Sequence, residues 1–310
     1  MNKKRIVFSL LFLAFAVLAY FNYPVFFKKA EKTSIENAQV FNANPKVVYS
    51  KTSKFGLVEV ITNNEPGLFN LCENKNYNLV HSTFSNNDFT LLSSEYEQFA
   101  TTSFCFTNDM QNVLLLGLGG GEFLGYLSHY FKSLKVDVVE INPAIISVVQ
   151  EFRKLKPANT NFICSDAFKY LVDVDKKYDL IVSDIYFFKP NLSADYKNFF
   201  KRIKSKLNKG GVFVMNAFIP YIPKLVVKDL FANFAHVAAL TTSMGYNVVF
   251  ICYQEDLKSS INTMDELMLV AVEMQNKYHF RYPLTELVTK VVSIRKEDAL
   301  FWIDKFPDLN

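Results

Sequence analysis

A chain of 310 residues, half of them apolar, can bury one large core and a smaller one, which excludes a disordered chain. Its 34 basic and 30 acidic residues leave a net charge of +4 spread over Lys-rich helices, too weak a balance to indicate a nucleic-acid partner. Cys72, Cys105, Cys164 and Cys252 form no CxxC pair and His81, His129, His236 and His279 are scattered, so neither a metal site nor a disulfide framework is indicated.

At the N-terminus, Lys3, Lys4 and Arg5 precede an apolar run over 6–27 interrupted only by Ser9, Asn22 and Pro24. About 20 such residues suffice to cross a bilayer, so residues 1–30 are expected to act as an uncleaved membrane anchor. A signal peptide cleaved near Val17-Leu18-Ala19, giving a secreted or periplasmic protein, is the competing account. Lys28, Lys29 and Lys32 balance the first three charges, so the positive-inside rule leaves orientation open.

Over 45–106, short β-rich segments such as 57–61 and 79–81 alternate with Asn-rich turns, and a small β domain is expected. A helical stretch at 93–102 leads into a second regime. From 112 onward, apolar strands at 113–116, 136–139, 161–164, 180–183, 212–215, 237–241 and 248–252 are separated by helices near 122–131, 143–155, 195–207 and 223–234. Only the turn around Met244-Gly245 separates the last two strands, so they form an antiparallel hairpin. The expected fold is α/β: a Rossmann-like, methyltransferase-type sheet over 108–260, mostly parallel with an antiparallel last strand, behind a small N-terminal β domain. The tail over 261–310 reads as a helical extension holding Trp302.

Candidate site residues fall where strands end. Gly117, Gly119, Gly120 and Gly121 follow the apolar strand 113–116 and open a helix, where a sharp turn must let backbone approach a ligand. The spacing is GxGxG, and Glu122 stands where a third glycine would complete the dinucleotide fingerprint. Glu140 ends the next strand, where a carboxylate can accept from both ribose hydroxyls. Asp166, followed by Ala167, stands after the third strand; holding an adenine amino group and capping a helix are both open to it, and they are compatible. Asp184 follows the fourth strand, closest to a group reacting beside the cofactor, and can orient and deprotonate an attacking amine. Tyr186 shares its loop, and Phe187, Phe188 and Tyr221 add aromatic surface for stacking or core packing.

The order of these motifs resembles the spermidine synthase family of aminopropyltransferases, and more narrowly its spermidine-synthase-like branch associated with membranes. The resemblance spans about 45–253 and is carried by the glycine loop, Val139-Glu140-Ile141-Asn142-Pro143, Ser165-Asp166-Ala167, Tyr178-Asp179 leading to Asp184, and Lys209-Gly210-Gly211-Val212. It implies transfer of an aminopropyl group from decarboxylated S-adenosylmethionine to a polyamine or other amine acceptor, with Asp184 assisting deprotonation, no metal, and a homodimer as a possible assembly. The departures are specific. Gly120 stands where the family carries an acid, Phe187 where it has a second Asp, Phe55-Gly56 for Tyr-Gln, and Tyr96-Glu97-Gln98 for Tyr-His-Glu. An S-adenosylmethionine-dependent methyltransferase is the alternative, and a non-catalytic, membrane-tethered nucleotide-binding protein is a third reading. Because S-adenosyl compounds and polyamines are made in the cytosol, the catalytic domain is expected on the cytoplasmic face. An acid introduced at Gly120 is expected to shift preference toward the decarboxylated ligand, with Glu122 close enough in sequence to supply the missing charge.

Overall fold

In the computed structural model, which describes residues 45–107, 109–185, 193–254 and 263–307, the chain from Val47 onward builds two sheets. The first is antiparallel and follows chain order: β1 (Val47–Ser53), β2 (Gly56–Thr62), β3 (Leu68–Glu73) and β4 (Val80–Ser85). Phe55-Gly56 sits at the β1–β2 turn. One face of this sheet buries Val58, Val60, Leu71 and Phe84 against Ala144 and Val148, so the small sheet has a core of its own with the segment that follows Glu140.

The second sheet has eight strands: β5 (Asn112–Leu116), β6 (Lys135–Glu140), β7 (Thr160–Cys164), β8 (Tyr178–Ser183), β9 (Leu207–Phe218), β10 (His236–Thr241), β11 (Asn247–Tyr253) and β12 (Val292–Ile294). Their order is β12-β10-β11-β9-β8-β5-β6-β7. The run from β9 to β7 is parallel, and β11, β10 and β12 are added by antiparallel pairing. The structure thus has the expected mostly parallel α/β sheet with an antiparallel end. β11 enters between β9 and β10, so the hairpin lies inside the sheet. The edge beyond it is covered by β12, a strand from the C-terminal tail that the helical reading of that tail left out.

Strand β5 shows why an uninterrupted apolar run forms the centre. Val113 and Leu115 enter the core on one face while Leu114 and Leu116 enter the core on the other, as a two-residue side-chain period demands of a strand covered on both sides. The covering helices are α1 (Glu95–Ala100), α2 (Glu122–Tyr130), α3 (Pro143–Ser147), α4 (Ala167–Asp173), α5 (Ser193–Lys206), α6 (Lys224–Asn233), α7 (Met264–Tyr278), α8 (Leu284–Leu287) and α9 (Ala299–Ile303). Helix α3 widens into a single π turn at Val148–Phe152, shorter than the expected helix to 155, and Lys154 follows with a φ of 59°. Such turns recur at functional sites, and this one delivers Arg153 beneath the glycine loop.

The expectation of a membrane-anchored protein is corrected. No described helix is long and apolar enough to cross a membrane; the longest, α7, has 15 residues and carries Asp265, Glu266, Glu273 and Lys277, against the roughly 20 apolar residues a span needs. The segment 6–27 on which that expectation rested lies outside the described residues. The membrane partner, the anchored cytoplasmic location and the membrane-associated branch are withdrawn with it.

Candidate functional site

The carboxyl ends of the parallel strands are tied edge to edge. Gly117 N–H donates to Val139 O at 2.9 Å, Ser165 N–H to Glu140 O at 3.1 Å, and Asp184 N–H to Leu116 O at 2.9 Å. The tips of β5, β6, β7 and β8 therefore lie side by side, and the glycine loop, Glu140, Asp166 and Asp184 occupy one sheet edge. At Gly117 the φ of 94° and the Asp184 carbonyl oxygen, which a Cβ would strike, leave room for no other residue.

Glu140 is buried, and its two oxygens accept from different backbone groups: Oε2 from Leu118 N–H at 3.1 Å and Oε1 from Asn142 N–H at 2.8 Å. Burial raises its carboxyl above the ordinary glutamate range, and those two donors only partly reverse the shift. Each oxygen has a second lone pair that can accept from a ligand hydroxyl. Asp166 caps α4, accepting from Phe168 N–H at 2.8 Å and Lys169 N–H at 3.2 Å, both on Oδ1. Ala167, the first helical residue, is packed into the core.

Asp184 lies at the mouth of a cleft whose lining includes Tyr96, Glu97, Gly117, Phe123 and Asn216. Tyr96 hydroxyl donates to Oδ2 at 3.1 Å and Asn216 Nδ2 donates to Oδ1 at 2.8 Å. Asn247 Nδ2 donates to Asn216 Oδ1 at 2.9 Å, which fixes the orientation of the Asn216 amide. The Asp184 side chain remains solvent-accessible, yet crowding by surrounding protein lifts its carboxyl above the ordinary range, against the opposing pull of Asn216 and Tyr96. A carboxylate so held is aimed at one point and is a stronger base than a free aspartate.

Gly120 does not face this cleft. A Cβ there would stand 2.5 Å from Phe84 Cδ1 and 2.8 Å from Ser82 Oγ, both on β4. The expectation that an acid at this position would read the ligand is therefore corrected: the small sheet fills that space. Ser82 Oγ accepts from Gly120 N–H at 2.8 Å and donates to Glu122 Oε1 at 2.6 Å. Glu122 Oε2 stands 3.0 Å from the same Cβ position, so the carboxylate of the first α2 residue occupies the neighbourhood of the absent loop acid. Gly119 also approaches Ser82, and Gly121 packs on Val149 and Leu155.

Beneath the loop, Arg153 is buried between the rings of Phe84 and Phe89, at 5.2 and 5.3 Å. It donates from Nη1 to Gly120 O at 2.7 Å and from Nε to Ser85 O at 3.2 Å. Burial lowers its pKa, while Glu122 and Glu97 oppose that shift.

Tyr186, Phe187 and Phe188 lie outside the described residues. Tyr221 packs on Phe218 at 5.1 Å between centroids. Sequence reasoning did not assign Tyr96, Asn216, Ser82 or Arg153 to the site. Asn216 carried a readable signal, because a polar residue after the apolar strand 212–215 is the feature that marked Glu140 and Asp184. Tyr96 and Glu97 carried one only through the resemblance, as the counterpart of the family's Tyr-His-Glu element.

The chain is similar to known proteins in sequence and in fold. The chain is 24% identical over 180 residues to a polyamine aminopropyltransferase of Clostridium botulinum, covering 56% of this chain and 60% of that protein. It is 26% identical over 198 residues to malonyl-[acyl-carrier protein] O-methyltransferase 1 of Ilyobacter polytropus, covering 64% and 59%. The chain thus spans less than two thirds of either relative. A probable spermidine synthase from Corynebacterium glutamicum shares the fold, with a TM-score of 0.62 at 15% identity over 84% of this chain and 94% of that one. The sequence model of the spermine/spermidine synthase domain matches residues 93–268, more than half the chain, and the protein belongs to that family.

Proposed function

We propose that the protein transfers an aminopropyl group from decarboxylated S-adenosylmethionine to an amine acceptor, with Asp184 as the base. The observation that carries this reading is the Tyr96–Asp184–Asn216 arrangement: a carboxylate of raised proton affinity, held by two donors at the mouth of a cleft. The donor carbon is already activated by its sulfonium, so the protein supplies position and one proton acceptor. The acceptor nitrogen forms the new C–N bond, the C–S bond breaks to release methylthioadenosine, and the proton leaving nitrogen goes to Asp184.

The residues present suit such a co-substrate. Glu140 offers remaining lone pairs to ribose hydroxyls, Asp166 and Ala167 at the next strand tip are assigned to the adenine, and the loop that begins at Gly117, which lines the cleft, is assigned to the sulfonium end. Tyr186, outside the described residues, is the second proposed catalytic residue. The charge of the cleft favours the decarboxylated form, because the carboxylate of intact S-adenosylmethionine would approach Glu97 and Asp184, and Asp184 already disfavours the ionised form of Glu97. A methyltransferase using the intact cofactor is the second reading, favoured by the similarity to an O-methyltransferase.

Calorimetric titration of the full chain with S-adenosylmethionine, its decarboxylated form and methylthioadenosine tests the choice. Tighter binding of the decarboxylated ligand is expected. A preference for the intact one would favour methyl transfer, and no affinity for any of the three would overturn both readings.

A further inference from the structure

Glu97, the third residue of the segment Glu95-Tyr96-Glu97, is 9% exposed, lines the cleft, and its Oε2 has no hydrogen-bond partner. A buried carboxylate oxygen without a donor is costly, and native proteins keep very few of them. The Ser94 backbone and the Arg153 charge favour its ionised form, but burial and the nearby Glu122 and Asp184 outweigh them. Glu122, 3% exposed, adds a second buried acid, and its Oε1 is engaged by Ser82. Arg153, the cation that bears on both glutamates, directs Nε and Nη1 to the carbonyls of Ser85 and Gly120. Its Nη2 is buried without a hydrogen-bond partner, so two acids share one guanidinium that hydrogen-bonds neither of them. The donor that Glu97 Oε2 lacks can come from a ligand, and among the described residues no group of three or more His, Cys, Asp and Glu is gathered to hold a metal ion.

We propose that Glu97 anchors a cation subsite, in which its Oε2 accepts a hydrogen bond from a primary alkylammonium group, and that it is a specificity-determining residue of the transfer site. This rests on the transferase reading above and deepens it: the ligand must carry an ammonium group besides the nitrogen that meets Asp184. That group belongs either to the amine acceptor or to the aminopropyl end of the donor, and both present the same chemistry to the carboxylate. Burial, then Glu122 and Asp184, raise the Glu97 carboxyl well above the usual range, so without a ligand it favours the protonated form more than a free glutamate does. Arrival of the ammonium stabilises the carboxylate, so binding releases a proton to solvent.

The test uses the full chain and its Glu97→Gln variant in titration calorimetry, with methylthioadenosine, decarboxylated S-adenosylmethionine, and 1,4-diaminobutane added to the methylthioadenosine complex. Repeating each titration in buffers of different ionisation enthalpy counts the protons released. Glu97→Gln should leave methylthioadenosine affinity within about twofold, weaken one amine-bearing ligand by about 10- to 100-fold, and abolish its proton release. The ligand so affected identifies the source of the ammonium group. Unchanged affinity for both amines, or proton release equal in the two proteins, overturns the subsite. Should Glu97→Gln also lose methylthioadenosine, Glu97→Asp decides, because it keeps the charge: recovered amine affinity supports the subsite and continued loss overturns it. Glu97-dependent binding of 1,4-diaminobutane without affinity for any S-adenosyl compound would keep the subsite and overturn the transferase reading.

Discussion

Tyr96 and Asp184 stand 88 residues apart in the chain and meet at 3.1 Å, the phenol donating to the carboxylate at the mouth of the cleft. Tyr96 belongs to the short helix α1 that follows the small sheet, whereas Asp184 ends β8 of the large one. The contact thus joins two parts of the chain at the point where the reacting nitrogen is proposed to lie.

That pair sets the first prediction. Asp184→Asn removes the base and keeps the shape, and should lower turnover by about 100- to 10,000-fold with little change in methylthioadenosine affinity. Tyr96→Phe, which removes one orienting donor, should cost less in rate. Steady-state kinetics with a defined amine acceptor measure both, and an Asp184→Asn enzyme turning over at the wild-type rate would remove Asp184 from the mechanism.

Glu140 has two tasks. Replacing it with Ala deletes the proposed ribose acceptor and also frees the N–H groups of Leu118 and Asn142. Affinity for every S-adenosyl ligand should fall about 10- to 100-fold, the scale of hydrogen bonds to a charged group, and the melting temperature should fall too. Parallel titration and thermal melts separate the two effects. Full retention of affinity in a stable variant would contradict the ribose role.

Gly120→Asp is expected to damage the loop. Its side chain would press on Phe84 and Ser82 and crowd the Glu122 carboxylate, an overpacked site with an added buried charge. A destabilisation of about 1–3 kcal/mol is expected, together with weaker binding of both intact and decarboxylated ligands. A variant that melts like the wild type and merely shifts its ligand preference would show that the loop can turn this residue toward the cleft.

The ionisation of Glu97 makes stability depend on pH with a defined sign. Its carboxyl is raised in the folded state by burial first and by Glu122 and Asp184 next, from about 4.3 in the unfolded chain. Above that value the folded protein binds more protons than the unfolded one, so this group's contribution falls as pH rises from about 4.3 toward the folded value. Glu97→Gln should therefore stabilise the ligand-free protein increasingly over that range, and urea melts at several pH values would reveal it. A constant difference between the two proteins across the series would argue that Glu97 does not titrate there.

The order of strands and helices was legible because a sheet buried on both faces needs unbroken apolar strands, and 113–116, 136–139 and 180–183 supply them. The placement of Glu140, Asp166 and Asp184 on one edge followed from the same logic, since parallel strands end on the same side. Strand β12 was hidden because three residues carry too little periodicity to signal a strand, and it forms only where β10 presents an open edge. The direction in which Gly120 faces, the clip formed by Ser82, and the gathering of Glu97, Glu122 and Arg153 depend on how β4, α1 and the π turn pack over the glycine loop. Local sequence determined which residues end each strand, because periodicity and turn chemistry act over a few neighbours. Only the tertiary structure decided which buried charges come together, because those charges come from segments far apart in the chain that meet through packing.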